Sequence, residues 1–196
     1  LDKFNISYIE MRGVNDRTLV EHSLDEVRLI KQRLDERGFA ISSVGSAIGK
    51  IGMDEDFDTH LALFRHTLEI AQILEVPYIR MFSFWMPKDA DPQHHWPEVL
   101  RRWQQLVAAA DGYHVTLLHE NEKDIFGDTA GRCLQLLEAL DTPKVKAVFD
   151  PANFVQCGVT PFPNAFEALQ KHIAYIHIKD ALFTTGDVMP AGQGDG

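Results

Sequence analysis

The chain has 196 residues, of which 45% are hydrophobic, and its 29 acidic and 19 basic side chains give a formal net charge of -10. A chain of this length can bury one substantial core, so we expect a single domain over residues 1–196. The acidic excess predicts that the protein binds neither nucleic acid nor a membrane surface, because it repels their phosphate groups.

In the first half of the chain, predicted strands and helices alternate. Short runs of apolar, β-branched and aromatic residues predict strands over residues 6–11, 39–44 and 78–82. Apolar residues at helical spacing predict helices over residues 23–37 and 57–74. Ser23 is a suitable N-cap for the first of these helices, and Gly38 stands where a helix commonly ends.

The alternation continues to the end of the chain. Helices are predicted from residue 96 or 97 to 110, over 129–140 and over 164–171. Strands are predicted over residues 115–119, 145–149 and 174–178. Strands separated by helices lie parallel and are joined by right-handed crossovers, which leaves a doubly wound sheet or a barrel.

The positions of glycine and of polar residues favour the barrel. No GxGxxG or GxxxxGK[ST] motif occurs at a strand-to-helix junction, as a doubly wound dinucleotide fold would require. Polar residues instead cluster at the carboxyl ends of several strands, where barrel enzymes build their active sites. We therefore predict an α/β fold, a parallel (β/α)8-type TIM barrel of which about six strands are visible.

Two carboxylates and one imidazole are predicted at the ends of three successive strands. Glu120, Asp150 and His177 are separated by 30 and 27 residues, each about one strand, helix and return, so we expect them at the same height of the barrel. Taken singly, such residues are more often helix N-caps, loop hydrogen-bonders or core histidines. Together they would repel or desolvate one another without a cation, which predicts a divalent ion, Mn, Mg, Co or Zn.

Seven segments carry a resemblance to a known superfamily: ISYIEMRGVN, SSVGSAIGKI, YIRMFSFW, LLHENEKDIFGDT, FDPANFVQCG, YIHIKDA and PAGQGDG. In them the chain resembles the sugar isomerases and epimerases that have a xylose-isomerase-like barrel. The resemblance implies that Glu120, Asp150 and His177 hold the metal together with a Glu on a final strand. It also implies that the first and last barrel strands lie outside this chain. We therefore expect a piece of a longer protein, weakly active or inactive by itself.

The resemblance also implies an activity and a set of substrate contacts. It implies an isomerase or epimerase of a small sugar or sugar phosphate, acting by proton transfer next to a carbonyl that the ion polarises, with Glu120 as a catalytic carboxylate. Polar residues predicted to bind substrate at the mouth are Glu10, Arg12, Lys50, Arg80, Asn121, Lys123, Asn153 and Lys179. Asn153 stands where many relatives carry a His, which predicts a different substrate.

Two features are open to alternative interpretations. Arg80 lies within an apolar strand and needs a partner, either an anionic sugar substituent or an inward carboxylate such as Glu10. The segment GQGDG near the end of the chain either binds an anion through its backbone amides or is a mobile loop.

Three other functions stay open. A dehydratase of a polyol-derived ketone, similar to inosose dehydratase, would use the same ion and base. An apurinic-site endonuclease-like barrel is disfavoured by the acidic charge and by the shortage of histidines at the mouth. A non-catalytic sugar-binding barrel is favoured only if no metal binds. Assembly into a homo-oligomer is compatible with each of these functions.

The cellular compartment is predicted from what the sequence lacks. No apolar run approaches the roughly 20 residues that cross a bilayer, and no basic-then-apolar leader opens the chain. Cys133 and Cys157 are the only cysteines and lack CxxC spacing, so neither a disulfide framework nor a thiolate zinc site is expected. A cytoplasmic location is the expectation.

Overall fold

The fold is built on a six-stranded parallel sheet, seen in a computed structural model that describes residues 2–196. The strands of this sheet are β1 (Tyr8–Met11), β4 (Ala40–Gly45), β5 (Tyr78–Met81), β6 (Thr116–Glu120), β7 (Val145–Phe149) and β8 (Ile173–Ile176). Two short antiparallel pairs lie outside it: β2 (Gly13–Val14) with β3 (Arg17–Thr18), and β9 (Asp180–Ala181) with β10 (Val188–Met189).

Helices connect the strands of the sheet. They are α1 (Leu24–Asp35), α2 (Phe57–Leu74), α3 (Pro92–Ala109), α4 (Ala130–Leu140), α5 (Pro151–Gln156) and α6 (Phe166–Leu169). Short 3-10 turns occupy Asp2–Phe4 and Leu19–Glu21, and a π turn at Pro161–Ala165 leads into α6. Among the described residues, none of the helices combines the length and the apolar character needed to cross a bilayer.

The order of the strands identifies the architecture. Neighbours in the sheet follow the chain, β1-β4-β5-β6-β7-β8, and every pair is parallel. In a doubly wound sheet, the order in which successive strands are added would instead reverse at a switch point. The sheet is thus a curled half-barrel with helices, the arrangement of an incomplete TIM barrel, and the predicted fold class is confirmed.

The main core lies between the sheet and its covering helices. Phe64 and Leu68 of α2 and Trp103 of α3 are fully buried, together with Leu117 on the strand β6. Burying such side chains contributes about 1.5–3 kcal/mol each relative to leaving them exposed. This packed layer holds the strands so that their carboxyl ends meet at one rim.

The helices α3 and α5 differ from the prediction. The helix expected from residue 96 or 97 begins at Pro92, because Asp91 caps it by accepting a hydrogen bond from the Gln93 amide at 3.0 Å. Proline suits this first helical position, where its missing N–H has no helical partner. The helix α5 is absent from the predicted elements; Pro151 stands at its first position and Asp150 caps it, so the strand β7 passes almost directly into this helix.

Candidate active site

Glu120, Asp150 and His177 come together at the carboxyl ends of three consecutive strands. Glu120 closes β6, Asp150 follows β7 directly, and His177 follows β8 directly. Each residue offers one ligand atom, and these three atoms all lie within 4.8 Å of one another. His177 Nδ1 is 3.0 Å from Glu120 Oε1 and 3.5 Å from Asp150 Oδ2. The convergence that the strand spacing predicts is therefore present in the fold.

The imidazole of His177 is surrounded by three carboxylates. Besides Glu120 and Asp150, Glu10 on β1 contacts it, with Oε2 at 3.0 Å from Nε2. Burial disfavours the charged ring, but its hydrogen bonds to the carboxylates outweigh that effect and raise the pKa of His177 to about 11. In the metal-free protein the protonated ring therefore adds a positive charge among these three carboxylates.

Glu120 is held by two further side chains. Arg80 Nη1 donates to its Oε2 at 2.8 Å, and Asn153 Nδ2 donates to its Oε1 at 3.3 Å. Burial raises the pKa of Glu120, yet the hydrogen bond from His177 and the charge of Arg80 outweigh burial and lower the pKa overall. The carboxylate is thus ionised, buried and fixed in orientation.

Asp150 serves as a helix cap and as a member of the cluster at once. Its Oδ1 accepts a hydrogen bond from the Asn153 amide at 2.9 Å, which caps the short helix α5. Its Oδ2 lies toward His177 and is 3.7 Å from Lys179 Nζ. The ordinary N-cap interpretation and the site interpretation of this residue are therefore compatible, since each uses a different oxygen.

An open cavity of ≈ 500 Å³ lies against the cluster. Six of the eight residues predicted to bind substrate line it: Glu10, Arg12, Lys50, Arg80, Asn153 and Lys179. Lys179 Nζ donates to Asn153 Oδ1 at 2.6 Å. Asn153, which we expect at the position of a His in many relatives, therefore lies beside an ammonium group. The rim of the half-barrel is thus concave and strongly charged.

The other two predicted substrate contacts lie elsewhere. Asn121 is buried and is bonded twice to the backbone of Asp150, donating to its carbonyl at 2.9 Å and accepting from its amide at 3.0 Å. These two hydrogen bonds connect the ends of β6 and β7. Asn121 does not line the cavity. Lys123 is exposed on the loop after β6 and is also absent from the lining.

Two polar residues that line the cavity, Tyr175 and Glu122, were not predicted from the sequence. Tyr175 lies two positions before His177, and strand alternation places both on one face, a signal that was available. Its hydroxyl is 2.9 Å from Ser42 Oγ. Glu122 lies beyond the end of β6, where alternation no longer applies, and it pairs with Lys50 at 3.0 Å.

The donor set fits a divalent cation. Two carboxylates and an imidazole are ligands that Mn, Mg, Co or Zn accept, and no cysteine of residues 2–196 belongs to the group. The close approach of three acidic side chains to one ring is costly unless a proton or a metal ion neutralises it. The contact between Glu10 and His177 also matches the carboxylate–histidine pairs that orient metal-ligating rings.

Comparisons with known proteins agree with this fold. Residues 2–196 match a family described as the xylose isomerase-like TIM barrel. No curated protein matches the chain. Similar solved structures include a D-tagatose 3-epimerase-like protein, which is 16% identical with a TM-score of 0.79 and for which the alignment covers 99% of this chain and 75% of that chain.

Two further structures illustrate the range of similar proteins. The probable 3-DHS dehydratase AsbF from Bacillus anthracis is 18% identical with a TM-score of 0.78, and the alignment covers 98% of this chain and 76% of that one. A xylose isomerase-like TIM barrel protein from Mycobacterium smegmatis, in complex with magnesium, is 16% identical with a TM-score of 0.76. That alignment covers 100% of this chain and 71% of the other. At such identities the likeness shows a shared fold.

Proposed function

The chain belongs to the xylose isomerase-like TIM barrel family, and on that premise we propose that it is part of a divalent-metal-dependent isomerase or epimerase of a sugar or sugar phosphate. One observation carries the proposal. The ligand atoms of Glu120, Asp150 and His177 lie within 4.8 Å of one another, at the edge of a cavity large enough for a small sugar.

The proposed chemistry is proton transfer next to a carbonyl. A bound divalent cation would polarise that carbonyl and an adjacent hydroxyl. Glu120 is proposed as a carboxylate that accepts a proton from the neighbouring carbon, because it is ionised, buried and held in one orientation by Arg80. A proton would then return to another position or to the other face, which completes the isomerisation or epimerisation. Glu10 would hold the His177 ring in place through Nε2, leaving Nδ1 toward the other two carboxylates.

The identity of the metal is narrowed by the donor set. Oxygen donors outnumber nitrogen in the cluster, which suits Mg, Mn or Co, while zinc is also compatible with one imidazole and two carboxylates. The similar protein from Mycobacterium smegmatis is described with magnesium. We propose Mg or Mn as the first ions to test.

A metal-dependent dehydratase is the second candidate, and the position of Lys179 favours it. Expulsion of a hydroxyl needs a proton donor near the leaving oxygen. The ammonium of Lys179 lines the cavity 3.7 Å from Asp150 Oδ2, on the same side as the cluster. The similar structure of a probable 3-DHS dehydratase is in keeping with this alternative.

Deuterium incorporation separates these functions. Full-length protein would be incubated with Mn and a panel of aldoses, ketoses and their phosphates in deuterated water, and the products followed by NMR and mass spectrometry. Deuterium at carbon without loss of water is the expected result for an isomerase or epimerase. Loss of water would identify the dehydratase instead.

A matched pair of variants completes the experiment. Glu120→Gln should abolish exchange, while Glu138→Gln, an exposed change of the same type on α4, should leave it unchanged. If no sugar exchanges hydrogen in the presence of the metal, the proposed activity is wrong and a non-catalytic barrel becomes the better account.

A further inference from the structure

A second, smaller cavity next to the site is lined by positively charged side chains and not by negatively charged ones. It measures ≈ 220 Å³, and the cationic side chains of Arg12, Lys50 and Arg80 line it together with the hydroxyl-bearing Thr18 and Ser46. Among the described residues, no acidic side chain belongs to its lining. In a protein with a net charge of -10, this local excess of positive charge is unusual.

The small cavity adjoins the cavity at the Glu120 cluster. Arg12, Lys50 and Arg80 line both, so the two spaces share a wall made of cations. Arg80 links them directly, because its guanidinium donates to Glu120 while it also borders the small cavity. The same three cations therefore border both spaces.

The three cations differ in how far they are neutralised. Arg80 is paired with Glu120 at 2.8 Å, and Lys50 is paired with Glu122 at 3.0 Å. Arg12 has no carboxylate oxygen within 4.0 Å among the described residues and is exposed. Its guanidinium is thus free to pair with an incoming anion, and guanidinium matches carboxylate and phosphate in a bidentate way.

The backbone near these cations is adapted to them. A Cβ at Gly45 would lie 2.8 Å from Arg12 Cγ, so the absence of a side chain there lets Arg12 lie across the end of β4. Gly49, next to Lys50, has φ +90°, and its amide donates to His60 Nε2 at 2.7 Å. Lys50 in turn lies over the ring of Phe82, with Nζ 4.2 Å from the centroid.

We propose that the small cavity binds an anionic substituent of the substrate, a phosphate or a carboxylate, through Arg12 and Lys50. The inference rests on the proposed function for the idea that a sugar occupies the larger cavity, and it narrows the substrate class to phosphorylated sugars or sugar acids. Arg80 then contacts both the anion subsite and Glu120.

Anion binding is measured on the metal-free protein. Calorimetric titration with inorganic phosphate and, separately, with glycolate, at low salt and with EDTA present, should detect binding of at least one anion. Arg12→Gln combined with Lys50→Gln should weaken that binding about tenfold or more, because it removes two donors of charge-assisted hydrogen bonds. Arg12→Lys, which keeps the charge, should bind more tightly than Arg12→Gln.

The control removes two charges from elsewhere. Arg33→Gln combined with Lys171→Gln changes exposed residues outside both cavities and should bind the anion like the wild type. Thermal melting of each variant shows that it is folded. The proposal is overturned if neither anion binds, if the Arg12 and Lys50 double variant binds like the wild type, or if the control loses as much affinity.

The two proposals fail separately. Hydrogen exchange into a neutral sugar, without anion binding by the metal-free protein, would retain the isomerase and reject the anion subsite. Binding of either anion supports the subsite, even if no exchange is found. Binding of phosphate only or of glycolate only also distinguishes sugar phosphates from sugar acids.

Discussion

Arg80 is a buried cation in the middle of the strand β5. The sequence left two kinds of partner open for it, an internal carboxylate such as Glu10 or an anion on the substrate. Its Nη1 contacts Glu120 at 2.8 Å, and its Nε is 4.0 Å from Glu10 Oε1. The nearer partner therefore comes from the neighbouring strand β6, and the residue still borders both cavities.

Removal of Arg80 should destabilise the fold. Arg80→Met leaves the buried Glu120 without its guanidinium partner, and breaking such a pair commonly costs about 3–5 kcal/mol. Because His177 still contacts Glu120, we expect the lower end, about 3 kcal/mol, from urea unfolding in EDTA. Arg101→Met, at an exposed pair with Glu98, should cost less than about 1 kcal/mol. Equal losses in both variants would contradict this account.

A second prediction for single residues concerns the metal affinity of the proposed ligands. Asp150→Asn and His177→Asn should each lower the affinity for Mn by at least about tenfold, because even the loss of a partner of a ligand costs about 10–100-fold. Calorimetry at constant pH measures the affinity. Asp187→Asn, an exposed change of the same type on the loop before β10, should bind Mn like the wild type. Unchanged affinity in both ligand variants would remove the cluster as the metal site.

At the scale of elements, the glycine-rich segment is tied to the strand β9. The backbone amides of Gly192, Gly194 and Gly196 donate to the carboxylate of Asp180 at 2.9, 2.8 and 2.7 Å. These hydrogen bonds lower the pKa of Asp180, and the one from Gly194 has the largest effect. The sequence leaves two interpretations of GQGDG open, an anion site or a mobile loop. Its backbone amides do bind an anion, and that anion is the Asp180 carboxylate of the same protein.

Loss of the Asp180 charge should loosen this segment. Asp180→Asn keeps the shape but leaves one carbonyl oxygen to accept in place of two charged ones, so the three glycine amides should exchange hydrogen faster. Hydrogen–deuterium exchange resolved by peptide measures this, with residues 190–196 affected and α2 unaffected. Asp187→Asn serves as the control, and unaltered protection of 190–196 in Asp180→Asn would contradict the assignment.

At the scale of the whole molecule, side chains join the two edges of the open sheet. The strands β1 and β8 lie at opposite edges, yet Glu10 on β1 contacts His177, which directly follows β8, at 3.0 Å. Tyr175 on β8 likewise reaches Ser42 on β4 at 2.9 Å. Without metal, the charge state of His177 therefore influences how these edges are held together.

The stability of the metal-free protein should pass through a maximum near pH 6.5. Because the pKa of His177 is raised to about 11, its contribution is complete below its ordinary value of 6.5 and is lost as the pH rises toward 11. Burial lowers the pKa of His119 to about 4. As the pH falls from 6.5 to 4, His119 therefore takes up a proton in the unfolded chain but not in the folded one, and the stability decreases. Each linkage has a slope of at most about 1.4 kcal/mol per pH unit.

Urea unfolding in EDTA across pH 4–9 measures both limbs, below the pH at which the thiols of Cys133 and Cys157, whose pKa values burial raises, contribute most. His177→Asn should flatten the alkaline limb, whereas His172→Asn, a half-buried histidine away from the cluster, should retain it. An alkaline limb that persists in His177→Asn would show that other groups cause it. The acid limb should persist in both variants, because His119 is unchanged.

The sequence alone determined the alternation of elements, the fold class and the residues that could form a site. The bounds of α2 and β7 are as predicted, and Ser23 caps α1, because periodicity and capping are local properties of the chain. The spacing of Glu120, Asp150 and His177 also follows from the chain, since parallel strands bring their ends to one rim.

Only the tertiary structure decided which side chains meet. The pairing of Arg80 with Glu120, the contact of Glu10 with His177 and the wall shared by the two cavities join strands that are far apart in sequence. Such distances depend on the twist of the sheet and on side-chain rotamers, which periodicity does not encode. For the same reason Asn121, polar and at a strand end, could not be distinguished beforehand from a residue that contacts substrate.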